Sequence, residues 1–543
     1  MRTAGEDIRG TPRSRWWRPR AGRPERAPGR PPRWRNDVTE TDIPAFAAAT
    51  ITADDPRYPS LVLGTNHRFP GRPDYVRVVT TTAQVAAAVT EAVAAGRRIS
   101  VRSGGHGFED LATNGVEVLL DMSEMTEVRY DEERRAFAIE AGATLGHVYR
   151  VLFKGWGVTI PAGECPEVGV GGHIVGGGYG PLSRSLGAVV DYLYAVEVVV
   201  VGEDGVARAV VATREDGDPH RDLWWAHTGG GGGTFGVVTR YWMRAPGADS
   251  GSDDPAELLP KAPAAWRSGM AVWSWETMTE ESFAALQANF GAWFERNSDP
   301  DSPYAALAGF FHGTHRSGFG LTVGAHMDDA TADAERLMTS FFEEITAGVD
   351  ARPLFVDQQV RPWLYMSSYP GWGDPGDPFT RRIKIKAAYL RKGYSATQTA
   401  ALYRHLTAGE ASPVQLILIG YGGRVNAVAP DATAAAQRDS VLKAAYMAVW
   451  GAEADDETNI RRVREMYREV YAETGGVPVP NDANDGSYVN YADTDLADPE
   501  WNTSGVPWHT LYFKDNYPRL QRVKKRYDPR NVFRHALSVG LPG

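Results

Sequence analysis

Three glycine-rich stretches constrain this chain more than any other feature: "VRSGGHGFED" (101–110), "IPAGECPEVGVGGHIVGGGYG" (160–180) and "AHTGGGGGTFGVVT" (226–239). Runs of glycine let a backbone come close to a ligand and aim successive N–H groups at it, which suits a pyrophosphate. A nucleotide is implied, but not the usual nucleotide folds. No G-x-x-x-x-G-K-[ST] occurs. The match to G-x-G-x-x-G at "GGGTFG" (231–236) runs into "VVTRYW", a strand pattern, whereas the dinucleotide fingerprint leads from a strand into a helix. The other match, "GWGDPG" (371–376), carries a proline and reads as a loop. A doubly wound Rossmann domain is therefore not expected.

Around these stretches, "YVRVV" reads as a strand, "TTTAQVAAAVTEAVAAG" as a threonine-capped helix closed by glycine, and "RISVRSGG" as a strand, a β-α-β start. "VEVLLDMS", "AFAIEAG", "YLYAVEVVVV", "VARAVVAT" and "GVVTRYWMRA" continue as strands, and "TLGHVYRVLFKGWG" as a helix. With 543 residues the chain outgrows a single core, so two domains are expected, and the polar, turn-rich "PGADSGSDDPAE" (246–257) marks the change. Beyond it, "TEESFAALQANFGAWFERN" and "ATADAERLMTSFFEEITAG" read as helices. "MAVWSWE", "YAALAGFF", "GLTVGAHM", "IKAAYL" and "VQLILIGYGG" read as strands, so an antiparallel sheet backed by helices follows. Near the end, "NYPRLQRVKKRYDPRNVF" sets Leu520, Val523 and Tyr527 at helical spacing and stops at Asp528-Pro529.

Residues 1–37, crowded with arginine and proline and without an apolar run, are expected to be a disordered tail. The net charge of −10 argues against a general nucleic-acid surface. No stretch approaches the roughly 18 apolar residues that a bilayer span needs. The single cysteine, Cys165, excludes an intrachain disulfide and a cysteine-rich metal site, and fits a reducing cytoplasm.

Long motifs in the right order carry a resemblance. "VRSGGHGFEDL" (101–111), "GWGVTIPAGECPEVGVGGHIVGGGYGPLSRSLG" (155–187), "LWWAHTGGGGGTFGVVTRYW" (223–242) and "YFKDNYPRLQRVKKRYDPRNVF" (512–533) are similar to the berberine bridge enzyme branch of FAD-linked oxidases. Within that branch the likeness is to actinomycete enzymes that tailor antibiotics, and it runs from about residue 50 to the C-terminus. It implies an α+β chain with the two-subdomain FAD-binding fold of the p-cresol methylhydroxylase type and a substrate domain with an antiparallel sheet backed by helices. The implied division is 38–246 for the first part of the FAD-binding domain, 247–480 for the substrate domain and 481–543 for the segment that completes the FAD-binding domain.

The resemblance also implies site residues. His106 of R-S-G-G-H matches the residue bonded to the flavin 8α-methyl, and Cys165 the one bonded to C6, so FAD is expected to be held by two covalent bonds. On the residue alone, a single cysteine reads as a small buried hydrophobe and His106 as a structural histidine. The motif context favours attachment for both. The cofactor wall is expected from Arg102, Ser103, Gly104, Gly105 and Gly107. Gly169, Gly171, Gly172, His173, Gly176, Gly177 and Gly178 of the second stretch join it, then Gly236, Val238 and Asn490. His173 and His227 stand where the family does not attach flavin and read as structural.

Alcohol oxidation needs a base for the hydroxyl proton. Tyr491 in "SYVNYADTDL" matches the family's base, and an unperturbed phenol near pKa 10 needs a downward shift of roughly 2–3 units to serve near neutrality. Tyr421 matches a second tyrosine that would hydrogen-bond to that phenolate or act on substrate, and Tyr179 is placed beside the flavin and the entrance. If 487–491 is extended, Tyr488 and Asn490 face away from Tyr491.

The implied reaction is proton removal by Tyr491, hydride transfer to flavin N5 and reoxidation by O2 with release of H2O2. The expected substrate is a small molecule, a hydroxyl of a glycosylated or polyketide-derived secondary metabolite oxidised to a carbonyl or acid. A free oligosaccharide or hexose, and a ring-forming cyclisation, are the alternatives. No metal, nucleic acid or membrane is called for, and monomer and homodimer both stay open.

Overall fold

The structure, a computed structural model, describes residues 47–248, 254–367 and 381–543. The tail at 1–37, the glycine match at 371–376 and part of the polar stretch at 246–257 lie outside the described residues. Ala48–Gly543 forms one compact unit.

The β-α-β start becomes a four-stranded sheet of β1 (Ala49–Thr52), β2 (Tyr75–Val78), β3 (Ile99–Arg102) and β4 (Val118–Asp121). Its order is β1-β2-β4-β3, with β2 and β3 parallel to β4. The crossover helix Thr82–Ala94 starts where the Thr81 side chain accepts the Gln84 N–H, and it buries Val85, Ala88, Val89 and Ala92 along one stripe.

A second sheet is antiparallel throughout: β5 (Val128–Asp131), β6 (Ala136–Glu140), β7 (Leu193–Val201), β8 (Ala207–Thr213) and β9 (Val237–Met243), in the order β5-β6-β9-β7-β8. Strand β7 is largely buried, and its one carboxylate, Glu197, accepts hydrogen bonds from the Thr82 and Thr239 hydroxyls at 2.8 and 2.7 Å.

The third sheet comprises β10 (Ala265–Trp273), β11 (Ala308–Thr314), β12 (Leu321–Asp328), β13 (Phe355–Pro362), β14 (Arg382–Leu390), β15 (Val414–Gly420) and β16 (Leu442–Trp450). Every pairing is antiparallel, in the order β13-β10-β12-β11-β15-β16-β14. Helices Glu280–Arg296, Ala334–Thr346, Ala396–Thr407 and Asp456–Val470 back it. The arrangement is α+β with an antiparallel sheet backed by helices, as the motifs implied.

Several elements depart from the sequence reading. Strands β5, β13 and β16 and the helices at Ala396–Thr407 and Asp456–Val470 were not among those expected, and β10 and β11 begin at Ala265 and Ala308 rather than at Met270 and Tyr304. In β16, "LKAAYMAVW" has the alanine content of a helix; ladders to β14 and β15 on both sides override that propensity. The C-terminal helix Tyr517–Tyr527 buries Leu520, Val523 and Tyr527 as its spacing predicts. Its buried Lys524 donates to the Thr234 carbonyl at 2.7 Å and to Asp528 at 2.6 Å, stapling the chain end to the third glycine stretch. No helix among the described residues is long and apolar enough to cross a membrane.

Candidate active site

The first two glycine stretches meet because neither carries side chains where they touch. A Cβ on Gly104 would stand 2.4 Å from the Gly169 nitrogen, and one on Gly169 would stand 2.2 Å from the Gly104 nitrogen. Arg102 anchors the loop below by pairing with Asp121 at 2.6 Å and donating to the Leu63 carbonyl at 3.1 Å, and the Ser103 hydroxyl donates to the Ala141 carbonyl at 2.6 Å. Gly105 continues at φ +69°, open to glycine at little cost.

These residues and Gly107 line a cavity of about 430 Å³ with Gly169, Gly171 and Gly172. Gly236 and Val238 of the third stretch close it from another side. Three side-chain-poor loops around one cavity fit the pyrophosphate-bearing cofactor that the sequence implied.

His106 and Cys165 line this same cavity. Burial lowers the His106 pKa, against the pull of Glu167, so the imidazole is neutral at physiological pH and keeps a lone pair. Burial, and next Glu164, push the Cys165 thiol up to about 11, so a base must take its proton before the sulfur can attack. His173 and His227 also border the cavity, each tied to backbone: His173 Nε2 accepts the Gly163 N–H at 3.1 Å, and His227 Nδ1 donates to the Leu223 carbonyl at 2.7 Å.

Gly176, Gly177 and Gly178 were placed in the cofactor wall, and the structure puts them behind it. A Cβ on Gly176 would meet Asn490 Oδ1 at 1.9 Å, and one on Gly178 would meet His173 Nε2 at 2.1 Å, while Gly177 turns at φ +77° beside Ala435. Their smallness makes room for protein side chains. Asn490 does line the cavity, and its amide donates to the His173 carbonyl at 3.1 Å and to the Tyr488 hydroxyl at 3.0 Å.

Tyr491 and Tyr179 reach the cavity together, their hydroxyls 3.2 Å apart. Burial holds the Tyr491 phenol up at about 12, with the Tyr179 hydrogen bond drawing it back. The resting shift is thus opposite to the one a base needs. The segment is also not extended through Tyr491: its N–H donates to the Tyr488 carbonyl at 3.0 Å, a turn that brings the two rings to 5.1 Å on one side. The expected hydrogen bond from Tyr421 is therefore made by Tyr179. Tyr421 is buried outside the cavity lining, its ring 6.0 Å from Tyr179.

One residue in this cluster escaped the sequence reading. Lys443, on β16, is 2% exposed, and its Nζ has no hydrogen-bond partner among the described residues. It lies 3.2 Å from the ring centre of Tyr179, 3.4 Å from Tyr488, 4.4 Å from Tyr389 and 5.1 Å from Tyr421. Burial holds its pKa well below that of an ordinary lysine. The only local signal is a charged residue inside an otherwise apolar strand.

A second buried group sets Tyr491 relative to the His106 loop. Lys384 Nζ on β14 contacts Glu109 at 2.7 Å and Asp493 at 2.8 Å, residues that follow His106 and Tyr491 closely in sequence. Lys386 also pairs with Asp493, and Arg464 pairs with Asp495 at 2.6 Å. Carboxylates and cations balance within this network, as burial requires.

The glycine-lined cavity and the tyrosines facing it fit an enzyme that holds a cofactor. Residues 73–208 match the FAD binding domain family, and residues 487–540 match the family described as berberine and berberine like. The chain is 52% identical over 499 residues to aclacinomycin-N/aclacinomycin-A oxidase of Streptomyces galilaeus, covering 92% of this chain and 90% of that protein. It is 31% identical to hexose oxidase of Chondrus crispus, over 91% of this chain and 95% of that one. Among solved structures, aclacinomycin oxidoreductase superposes with a TM-score of 0.89 at 51% identity, covering 92% of this chain and all of that one. A glycopeptide hexose oxidase complexed with teicoplanin gives 0.87, also at 51% identity and with the same coverage. The chain belongs to the berberine bridge enzyme-like FAD-linked oxidases and is an FAD-dependent oxidoreductase.

Proposed function

We propose that this enzyme holds FAD by two covalent bonds, from His106 to the 8α-methyl and from Cys165 to C6. With it the enzyme oxidises a hydroxyl of a glycosylated or polyketide-derived secondary metabolite to a carbonyl or acid, O2 becoming H2O2. The observation that carries this reading is that His106, Cys165, Tyr491 and Tyr179 border one cavity with the glycine loops. Relatives named for aclacinomycin and for hexose or glycopeptide substrates support the substrate class.

When bound, FAD supplies the two-electron acceptor for hydride from the alcohol carbon. The glycine loops 104–107 and 169–172 would hold it, and neutral His106 and the Cys165 sulfur would fix its ring. Tyr491 takes the substrate hydroxyl proton, with Tyr179 donating a hydrogen bond to the resulting phenolate. Lys443 favours that anion: an ammonium against the tyrosine ring faces and a phenolate among them stabilise one another, so charge on the pair and the proton on Lys443 rise together. Segments 38–246 and 481–543 would form the FAD-binding domain and 247–480 the substrate domain.

The test is a panel of glycosylated aromatic polyketides, glycopeptides and free hexoses, followed by anaerobic bleaching of the flavin and by peroxide release in air. Bleaching by a glycosylated metabolite with stoichiometric peroxide is expected. A flavin that no hydroxylated member of the panel reduces would overturn the reading.

A further inference from the structure

The cavity described above is lined by parts of the chain that lie far apart in sequence. Gly180 and Pro181 continue the second glycine stretch, while Phe310 of β11 and Ile419 of β15, paired across the ladder, belong to the third sheet. Gly309 and Gly420, the neighbours of that pair, also line it and leave the strands bare on the side towards helix Glu280–Arg296. A Cβ on Gly309 would stand 2.8 Å from the Phe294 ring, and one on Gly420 would stand 2.1 Å from it. The two glycines thus let a ring from the last turn of that helix press directly on the back of the wall.

Arg184 joins the two parts. It sits in the short helix Ser183–Leu186, three residues beyond Pro181, and is 2% exposed. Its guanidinium carbon lies 5.0 Å from the centre of the Phe294 ring. Among the described residues its hydrogen bonds go to main-chain carbonyls: Nε donates to Leu307 at 2.8 Å, one terminal nitrogen to Tyr421, and the other to Asn297 at 2.6 Å. Leu307 immediately precedes β11 and Tyr421 immediately follows β15, so the fork grips the wall at both strands. Asn297 caps the helix that carries Phe294, and the negative end of a helix dipole favours a cation there. Burying a guanidinium is costly unless its donors are used, and a planar fork can serve three separate segments where a single ammonium cannot.

We propose that Arg184 is a positioning residue for the oxidation: it holds the β11–β15 wall against the second glycine stretch, and so sets how closely a bound alcohol approaches the flavin that this stretch would hold. Arg184 itself does not line the cavity, so it acts through the strands it grips. Rate depends steeply on this approach, since a misplacement near 1 Å costs about a hundredfold. The inference rests on the proposed oxidation in this cavity and adds to it a residue that touches neither substrate nor cofactor.

The test compares holoenzyme of wild type, Arg184→Lys and Phe294→Leu. Lysine keeps the buried charge and loses the fork; leucine keeps Arg184 and removes the ring behind the wall. Each protein is mixed anaerobically with glucose, lactose and an anthraquinone glycoside while flavin bleaching is followed, and separately reduced with dithionite and mixed with O2. Arg184→Lys should carry as much flavin per chain as wild type and be reduced about 10- to 100-fold more slowly at saturating ligand, with half-saturation within about threefold. Its reoxidation should stay within about twofold of wild type, because O2 needs no wall to orient it. Phe294→Leu should slow reduction about threefold or more with the same unchanged reoxidation. A role confined to stability would lower Tm alone. Reduction at the wild-type rate per flavin in Arg184→Lys, or in Phe294→Leu where the lysine variant does not fold, would therefore overturn the proposal, as would an equal loss in both half-reactions. If no ligand bleaches wild type, the oxidation reading fails, and the positioning is read from the flavin difference spectrum that each ligand induces: a smaller amplitude in Arg184→Lys supports it and an identical one overturns it.

Discussion

Lys443 Nζ sits 3.2 Å from the centre of the Tyr179 ring, and the hydroxyl of that ring sits 3.2 Å from the hydroxyl of Tyr491. A buried amine with no anionic partner among the described residues thus touches one member of a hydrogen-bonded tyrosine pair through its π-face. Its effect on the pair is electrostatic and reads out as pH dependence. Lys443→Met, close in length and uncharged, should lower kcat by about 10- to 100-fold and move the alkaline-rising limb of the pH–rate profile up by about one unit or more. An unmoved limb would remove Lys443 from the proton chemistry.

The three tyrosines separate by position. Tyr491→Phe removes the proposed base and should cost about 10²- to 10⁴-fold in kcat with flavin content unchanged. Tyr179→Phe removes one hydrogen bond to the phenolate and should cost about tenfold. Tyr421→Phe, a change outside the cavity lining, should stay within about threefold, which steady-state kinetics on the same substrate would measure.

Close approach of the loops sets a prediction about cofactor loading. Gly104→Ala forces a methyl to within 2.4 Å of the Gly169 nitrogen, so the loops must part and the ratio of visible flavin absorbance to protein absorbance should fall severalfold. Gly155→Ala is the control. Nothing lies within 4 Å of its added Cβ, in the last turn of helix Leu145–Trp156, and it should keep its flavin and gain about 0.5–1 kcal/mol.

Buried neutral histidines make the fold acid-sensitive. His227 and His326 are each held at about 4, below the unfolded value near 6.5, so between those pH values the unfolded chain binds protons that the folded chain does not. Stability is full above pH about 6.5 and falls as pH drops towards 4, by up to about 3 kcal/mol for each ring. Urea midpoints measured from pH 7.5 to 4.5 should decline over this window, and His227→Asn, which keeps a donor for the Leu223 carbonyl, should make the decline shallower.

Elements whose identity is local were legible. Thr81 and Gly96 bracket the helix Thr82–Ala94, and Gly157 ends another in the left-handed region, as such residues do in any context. The glycine loops and the pair His106 and Cys165 were legible as motifs. What escaped depends on partners distant in sequence. Lys443 becomes notable only when β16 lies beside β15 and the tyrosines of four separate segments close around it. Strand β13, "FVDQQVRP", lacks the apolar alternation of a buried strand because among the described residues it is an edge, paired with β10 alone and exposed along its length. The helix at Ala396–Thr407 did carry a readable signal, the capping box of Ser395 and Gln398. Gly176 to Gly178 misled because a glycine that admits a neighbouring side chain looks in sequence like one that admits a ligand.

The central claim is that one flavin is bonded to both His106 and Cys165. Holoenzyme denatured and weighed by mass spectrometry should show the chain plus one FAD, and its proteolytic digest should contain a single flavin-bearing species joining the peptides of both residues, with His106→Ala and Cys165→Ala each leaving the flavin on one peptide alone. A holoenzyme that loses its flavin on acid precipitation and weighs as the bare polypeptide would contradict the account.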